Sequence, residues 1–315
     1  MRLQRHAGLF VGVILLALAG PAVAQGGTAT ASVDTDRLMR DLRALAHDSM
    51  EGRGTGTEGA ARARTYLVHR FAEVALEPIT DGFEKRFDLP GDSGAGKGVN
   101  LVGRIAGRSA GGQTLVVTAH YDHNGIRNGE IFNGADDNAS GTAALLAIAD
   151  HFRDNPPANA IVIAALDAEE IGLRGAQAFV ADPPIPLERI AANVNLDMVG
   201  RNAAGELWVA GTHHYPALLP LVERVAARSG ITLRAGHDTP DLPGSDDWTS
   251  ASDHGAFHAK GIPFLYFGVE DHPDYHRPTD DADRIEPGFY AAAVATIIDA
   301  IEELDAMVAA GKSLK

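Results

Sequence analysis

The chain has 315 residues, no cysteine and a formal net charge of −15 at neutral pH. Without cysteine it can use neither disulfide bonds nor thiolate metal ligands, and so acidic a surface argues against nucleic acid or an anionic membrane as a partner. The length is sufficient for one large domain with a sizeable core.

The first 24 residues have the pattern of a secretory signal peptide. Two arginines and a histidine precede an apolar run over residues 7–19, and the stretch ends in the small-residue site Ala22-Val23-Ala24. The run is shorter than the ~20 residues that span a bilayer, which disfavours a membrane anchor. We therefore expect export to the periplasm or the medium, cleavage after residue 24, and a flexible mature N-terminus over residues 25–32. Loss of Arg2 and Arg5 would leave 25 basic against 42 acidic residues, a net charge of −17.

Helical and strand patterns alternate along the rest of the chain. Helices are predicted over residues 35–47, 60–74, 142–152, 216–228 and 286–309, and strands over residues 84–89, 100–105, 115–119, 160–166, 192–196, 206–210 and 264–267. This alternation indicates an α/β fold, a three-layer sandwich with a mostly parallel central β-sheet and helices on both faces. We expect a single catalytic domain over residues 33–315.

Two glycine-rich stretches resemble nucleotide-binding loops only superficially. Gly54, Gly56 and Gly59 match G-x-G-x-x-G, but a helix rather than a strand precedes them. Residues 91–97 nearly spell a P-loop, but Gly98 replaces the metal-binding hydroxyl residue and a strand follows. We interpret the first stretch as a turn and the second as a hairpin loop.

Side chains that suit a metal site follow the predicted strands. Singly, an aspartate after a strand is usually a turn former or helix cap, and a lone histidine is usually a surface residue. The carboxyl ends of adjacent parallel strands lie about 4.8 Å apart, so loops from several strands can converge on one site. The candidates are His120, Asp122, Asp136, Glu169, Glu170, Asp197 and His276.

The donor types among these candidates suit zinc, with cobalt or manganese as substitutes. Two histidines with three of the five carboxylates, and no thiols, make a ligand set for borderline divalent ions. Five protein ligands are too many for one open catalytic zinc, but they suit two zinc ions that share a carboxylate and a bridging water. Of the adjacent pair Glu169-Glu170, one can bind metal while its neighbour stays free as a base.

Five sequence blocks contain the candidate residues. In chain order they are His120-Tyr121-Asp122, residues 134–141 (GADDNASG), residues 168–176 (AEEIGLRGA), residues 195–198 (NLDM) and residues 275–281 (YHRPTDD). These blocks, in this order, resemble the M28 zinc peptidases of the secreted bacterial aminopeptidase type, whose fold is that of the zinc-dependent exopeptidases. The segment from Met50 to Ala60 also resembles a stretch near the start of such proteins.

The resemblance implies a role for each candidate. Asp136 would bridge two zinc ions, His120 and Asp197 would hold one ion, and Glu170 and His276 would hold the other. Glu169 would be the general base for a metal-bridging water, and Asp122 would orient the His120 ring. Tyr275, beside His276, is a candidate for stabilising the oxyanion or contacting substrate. A cis peptide between Asp136 and Asp137 is also expected.

The implied function is release of N-terminal residues from peptides that have a free amino terminus, by a chain without a stable membrane anchor. Three alternatives remain open: a glutaminyl cyclase, a carboxypeptidase or dipeptidase on the same fold, and a relative that binds without catalysis. Some polar residues near the blocks match no ligand position and are left unassigned: His123, His254, His272, the pair His213-His214, and the pairs Asp246-Asp247 and Asp280-Asp281.

Overall fold

The computed structural model describes residues 31–79, 81–89, 96–109, 111–242 and 246–315. The predicted signal peptide and residues 25–30 of the predicted flexible N-terminus lie outside these ranges. Most of the glycine-rich loop over residues 91–97 also lies outside them.

Helices and strands alternate through the described chain, much as the sequence pattern indicates. The α-helices are α1 (Thr35–Leu45), α2 (Glu58–Glu73), α3 (Gly141–Asp154), α4 (Arg174–Ala181), α5 (Leu219–Ala226), α6 (His254–His258) and α7 (Pro287–Ala309). The strands are β1 (Glu77–Pro78), β2 (Glu84–Asp88), β3 (Lys97–Ile105), β4 (Thr114–His120), β5 (Gly125–Arg127), β6 (Glu130–Phe132), β7 (Ala160–Leu166), β8 (Ile190–Leu196), β9 (Glu206–Ala210), β10 (Thr232–Ala235) and β11 (Phe264–Gly268).

One large mixed sheet forms the centre of the molecule. Within the described residues its order is β1-β3-β7-β4-β8-β11-β9-β10, with β2 also paired to β3. The four central strands β7, β4, β8 and β11 are parallel, whereas β1, β2 and β3 join antiparallel on one side and β9 joins β11 antiparallel on the other. The carboxyl ends of the central strands therefore meet at one edge of the sheet.

Helices cover both faces of this sheet. Successive residues of β7 point to opposite faces: Ile161 and Ile163 belong to the core shared with α1, α2, α3, α5 and α7, whereas Val162 and Ala164 face α4 and α6. This alternation is the period-two pattern of a strand buried on both sides. The predicted α/β sandwich is confirmed, with the parallel part concentrated in the middle of the sheet. No helix in the described ranges is long and apolar enough to cross a membrane.

The elements that the sequence pattern does not predict are short. The β5–β6 hairpin has strands of three residues, too few to display an alternating pattern. Its turn is Asn128-Gly129, and both residues have positive φ, as a tight two-residue hairpin requires. That dipeptide is a hairpin signal in the sequence, although its flanking strands are too short to be predicted from their pattern.

Candidate metal centre

Chemically functional side chains gather at the carboxyl ends of the central strands. His120 is the last residue of β4, Asp197 directly follows β8, and Glu169 lies three residues beyond β7. His276 is carried by the loop after β11, and Asp137 by the loop between β6 and α3. The strand order β7-β4-β8-β11 places these loops side by side.

Two groups of nitrogen and carboxylate oxygen atoms share the Asp137 carboxylate. In the first group, His120 Nε2 lies 3.2 Å from Asp197 Oδ1 and 3.4 Å from Asp137 Oδ1. In the second, His276 Nε2 lies 3.0 Å from Asp137 Oδ2 and 3.2 Å from Glu170 Oε2. Asp137 thus presents one oxygen to each group.

The spacing and chemistry of both groups fit metal ions. Ligand atoms about 2.0–2.2 Å from a tetrahedral ion lie roughly 3–3.5 Å from one another, which matches these four distances. The donors are imidazole nitrogens and carboxylate oxygens, the set that zinc accepts in the absence of thiolates. His120, Asp137 and Asp197 offer ligand atoms that lie within 4.8 Å of one another, and so do Asp137 and Glu170 together with His123.

Asp136, the predicted shared carboxylate, belongs to neither group, and the next residue, Asp137, lies between the two groups instead. Its Oδ1 accepts a hydrogen bond from the Gly200 backbone N–H at 2.7 Å, and its Oδ2 lies 3.1 Å from His272 Nε2. The predicted cis peptide is displaced in the same way and lies between Asp137 and Asn138. Adjacent aspartates are indistinguishable by type, so the sequence alone could not tell which one faces the site.

Asp122 was expected to orient the His120 ring through its side chain, but its closer contact with that ring is through its backbone. His120 Nδ1 lies 3.1 Å from the backbone carbonyl of Asp122 and 3.6 Å from its carboxylate. The carboxylate instead accepts hydrogen bonds from the backbone N–H groups of Glu169 at 3.0 Å and Glu170 at 3.3 Å, and from the Thr55 hydroxyl. Asp122 therefore touches His120 mainly through its backbone and fixes the Glu169-Glu170 turn with its side chain.

Glu169 and Tyr275 line the cavity beside the two groups. Burial raises the pKa of Glu169 well above its usual range, and the Asp197 carboxylate adds to this while His120 opposes it. The Tyr275 ring stacks on His276 with centroids 4.0 Å apart. Burial and the nearby Asp137 carboxylate raise the pKa of Tyr275, so its hydroxyl stays protonated and can donate a hydrogen bond.

The cavity that opens from these groups is strongly acidic. It has a volume of about 540 Å³ and is walled by aromatic and apolar side chains that include Trp248, Tyr266 and Val269. Among the described residues that line it there are six carboxylates and neither lysine nor arginine; the carboxylates are Asp137, Glu169, Glu170, Asp197, Asp247 and Asp271. Such a wall attracts a positively charged group and repels an anionic one.

Arg53 holds the loops of the site together, and sequence reasoning did not identify it. Its fully buried guanidinium donates hydrogen bonds to four backbone carbonyls: those of Tyr121 at 2.7 Å, Leu45 at 2.7 Å, Asn133 at 2.6 Å and Gly134 at 2.9 Å. The segments after β4 and before Asp137 are thereby joined through one side chain. The signal was an arginine between two glycines in the Met50–Ala60 stretch.

Gly52, next to Arg53, allows this close approach. It has a φ of +64°, and a Cβ there would lie 2.4 Å from the Phe132 carbonyl oxygen and 2.6 Å from that of Gly125. No side chain fits in that space, so glycine is required where this segment crosses the β5–β6 hairpin.

Comparison with known proteins identifies the family. The family model described as Peptidase family M28 matches residues 100–301, which is more than half of the chain. The chain belongs to peptidase family M28. The family predicted from the five sequence blocks is confirmed, and membership classes the chain as a metallopeptidase, a hydrolase.

Several M28 relatives are similar in sequence. Aminopeptidase YwaD of Bacillus subtilis is 33% identical over 180 residues, covering 54% of this chain and 36% of that protein. A probable zinc metalloprotease of Pyrenophora tritici-repentis is 32% identical over 199 residues, covering 58% of this chain and 45% of that protein. The chain thus spans less than half the length of these curated relatives.

Solved structures share the fold at lower sequence identity. A leucine aminopeptidase precursor from Bacteroides thetaiotaomicron superposes with a TM-score of 0.71 at 21% identity, covering 87% of this chain and 98% of that one. A glutaminyl cyclase from the same organism, bound to N-acetylhistamine, superposes with a TM-score of 0.70 at 19% identity, covering 87% and 99%. One fold therefore carries two different chemistries, and only the site can separate them.

Replacement of Arg53 by methionine should weaken both the fold and the metal centre. The change leaves four buried carbonyls without their donor, and each unsatisfied group costs about 1–3 kcal/mol, so partial relaxation leaves a loss on the order of 3–6 kcal/mol. Chemical denaturation would measure the stability, and a competing chelator would measure metal affinity. Arg62→Met is the matched control, because Arg62 is 41% exposed and pairs with the equally exposed Glu51; it should change stability by less than about 1 kcal/mol. Equal behaviour of the two variants would contradict the role given to Arg53.

Proposed function

We propose that this M28 chain is an exported aminopeptidase with two zinc ions, which hydrolyses the N-terminal residue from peptides with a free amino terminus. The support for two ions is that two donor groups share the Asp137 carboxylate. The support for export is the signal-peptide pattern of the first 24 residues.

The acidic cavity is the observation that favours the amino terminus over the carboxyl terminus of a peptide as the end that binds. A peptide offers an ammonium at its amino terminus and a carboxylate at its carboxyl terminus. Asp137, Glu170 and Asp197 would be offset by the charge of the ions they hold, which leaves Glu169, Asp247 and Asp271 in the described lining. That lining has no lysine or arginine to pair with a substrate carboxylate, which favours the ammonium and disfavours a carboxypeptidase. Thr249 hydrogen-bonds Asp247 and lowers the pKa of that carboxyl, so Asp247 is charged at neutral pH and available to the ammonium.

Different residues of the site would bind the ions, transfer the proton and position the base. His120 and Asp197 would hold one ion, Glu170 and His276 the other, and Asp137 both. When bound, such ions lower the pKa of water and polarise the scissile carbonyl. Glu169 accepts the proton of the attacking water and passes it to the leaving amine. The Asp122 carboxylate keeps Glu169 in position by accepting a hydrogen bond from the Glu169 backbone N–H.

Tyr275 completes the set by donating a hydrogen bond to the oxygen that becomes negative during attack. Replacement of Tyr275 by phenylalanine keeps the ring that stacks on His276 and removes only the hydroxyl. We expect kcat to fall about 10- to 1,000-fold with KM nearly unchanged. An unchanged kcat would remove Tyr275 from the mechanism.

A product assay on purified protein tests the proposed function. Aminoacyl amides, their N-acetylated counterparts and N-terminal glutaminyl peptides would be offered with and without a chelator. The proposal predicts chelator-sensitive release of the N-terminal residue from the free amines and no release from the acetylated forms. Release of a C-terminal residue, cyclisation of the glutaminyl peptide without hydrolysis, or no reaction in the presence of zinc would each contradict it.

A pair of neighbouring substitutions tests which aspartate is shared. Asp137→Asn should lower zinc content by at least one ion per chain, because both donor groups lose a charged oxygen. Asp136→Asn should keep both ions, because the Asp136 carboxylate contacts Gly200 and His272 instead. Metal analysis after dialysis distinguishes them, and loss of zinc only in Asp136→Asn would reverse the assignment.

Glu169→Gln should separate metal binding from proton transfer. The amide keeps the size of the side chain but cannot accept the proton of water, so kcat should fall about 10²- to 10⁴-fold while both ions remain. Glu170→Gln is the matched neighbour and should lose zinc. If the Glu169 variant loses zinc and the Glu170 variant keeps it, the two roles are exchanged.

A further inference from the structure

His123 lies beside Asp137 and Glu170 of the second donor group, and neither the sequence motifs nor the proposed mechanism gives it a role. It follows β4 by three residues, and its side chain is completely buried. Its Nδ1 lies 2.5 Å from Glu170 Oε1 and 3.7 Å from Asp137 Oδ2. Its ring faces that of His276 at a centroid distance of 5.7 Å.

The Nδ1 atom of His123 has no hydrogen-bond partner despite its short distance to Glu170. The two atoms are close, but they are not aligned as donor and acceptor. A buried polar atom without a partner costs about 1–3 kcal/mol, and such atoms are few in folded proteins. His123 Nδ1 is therefore a buried imidazole nitrogen without a hydrogen-bond partner beside two carboxylates, and these are donor types that zinc accepts.

The surrounding chain makes room for the His123 ring in this orientation. Gly134 has a φ of +54°, and a Cβ there would lie 2.5 Å from ring atoms of His123 and 2.0 Å from the Asp137 carbonyl oxygen. A side chain at position 134 would displace either the histidine or the shared aspartate. The other ring nitrogen, Nε2, lies 3.4 Å from the Asn124 side-chain nitrogen, so the ring has a neighbour on that side.

We propose that His123 is a further metal ligand through Nδ1, on the ion held by Glu170 and His276. His123 Nδ1 and oxygens of Asp137 and Glu170 lie within 4.8 Å of one another, as the ligands of one ion must. This inference rests on the proposed zinc centre. It makes the two positions unequal, with Asp137, Glu170, His123 and His276 at one and Asp137, His120 and Asp197 at the other. Four protein ligands would complete a tetrahedral coordination shell and hold that ion tightly. The position with three protein ligands would keep one coordination place for water or substrate.

Replacement of His123 by cysteine gives a direct spectroscopic test. The chain has no cysteine of its own, so a thiolate-to-cobalt charge-transfer band in the near ultraviolet can arise only from the introduced residue. We expect this band when His123→Cys is loaded with Co²⁺. We expect no band from His213→Cys, because His213 is exposed and lies outside both donor groups. A folded His123→Cys protein that binds cobalt without the band would overturn the proposal.

A second pair of variants tests the proposal if His123→Cys does not fold. His123→Asn should weaken the binding of one zinc ion by about 100-fold or more in a chelator competition, because a ligand is lost. Asn124→Ala is the control, because it removes no ligand. It removes only a neighbouring side chain whose nitrogen lies 3.3 Å from Glu170 Oε1, and it should weaken zinc binding by less than about 10-fold. Equal zinc affinity in the wild type and His123→Asn would contradict the role. The charge-transfer band of His123→Cys requires only the ion beside Glu170. The proposed function is tested separately, by the cobalt content and the peptidase activity of the wild type.

Discussion

The structure is organised by the burial of several carboxylates in one place. Asp137, Asp197 and Glu170 meet at the carboxyl end of the sheet. Asp122 and Asp167 lie close behind them and both accept hydrogen bonds from the Thr55 hydroxyl, and Asp280 lies against the backbone of Asp137. Burial raises the pKa of Asp197, and it raises the pKa of Asp167 to about 6 and that of Asp280 to about 7, with Asp122 and Asp136 respectively adding to the effect. Charged carboxylates so close together need compensating positive charge, which histidine, arginine and metal ions can supply.

The protein supplies part of that compensation through its backbone and one arginine. Asp280 accepts hydrogen bonds from the N–H groups of Asp136 and Asp137, and Asp122 accepts those of Glu169 and Glu170. Burial lowers the pKa of Arg53 to about 10, which still leaves the guanidinium charged at neutral pH beside Asp137 and Asp280. Its hydrogen bonds hold the ligand-bearing loops at fixed positions. This pre-organisation matters because a metal centre needs its donors placed before the ion binds.

Much of the fold and most of the site residues were predictable from the sequence. Strands buried on both faces, such as β7 and β4, are continuous apolar runs, and the ligand types directly after them identified the edge of the sheet where the site lies. His120, Glu170, Asp197 and His276, named from the sequence, are brought together in the structure.

Other features depend on information that the sequence pattern does not contain. Which of Asp136 and Asp137 faces the donors is decided by backbone geometry at residues 134–138, where Gly134 has a positive φ. The roles of Arg53 and of the Asp122 carboxylate depend on hydrogen bonds to backbone groups elsewhere in the chain. The glycines beside Arg53 are a sequence signal, but they do not identify the carbonyls that Arg53 contacts. His123 was set aside because it matched no expected ligand position, although its residue type already suited one.

The centre with a shared Asp137 is tested most directly by locating metal in a crystal of the zinc-loaded protein. Anomalous difference maps on either side of the zinc absorption edge would show each zinc ion as a separate peak. We expect two peaks flanking the Asp137 carboxylate, one beside His120 and Asp197 and the other beside Glu170 and His276. A single peak, or a pair of peaks bridged by Asp136 instead, would contradict it.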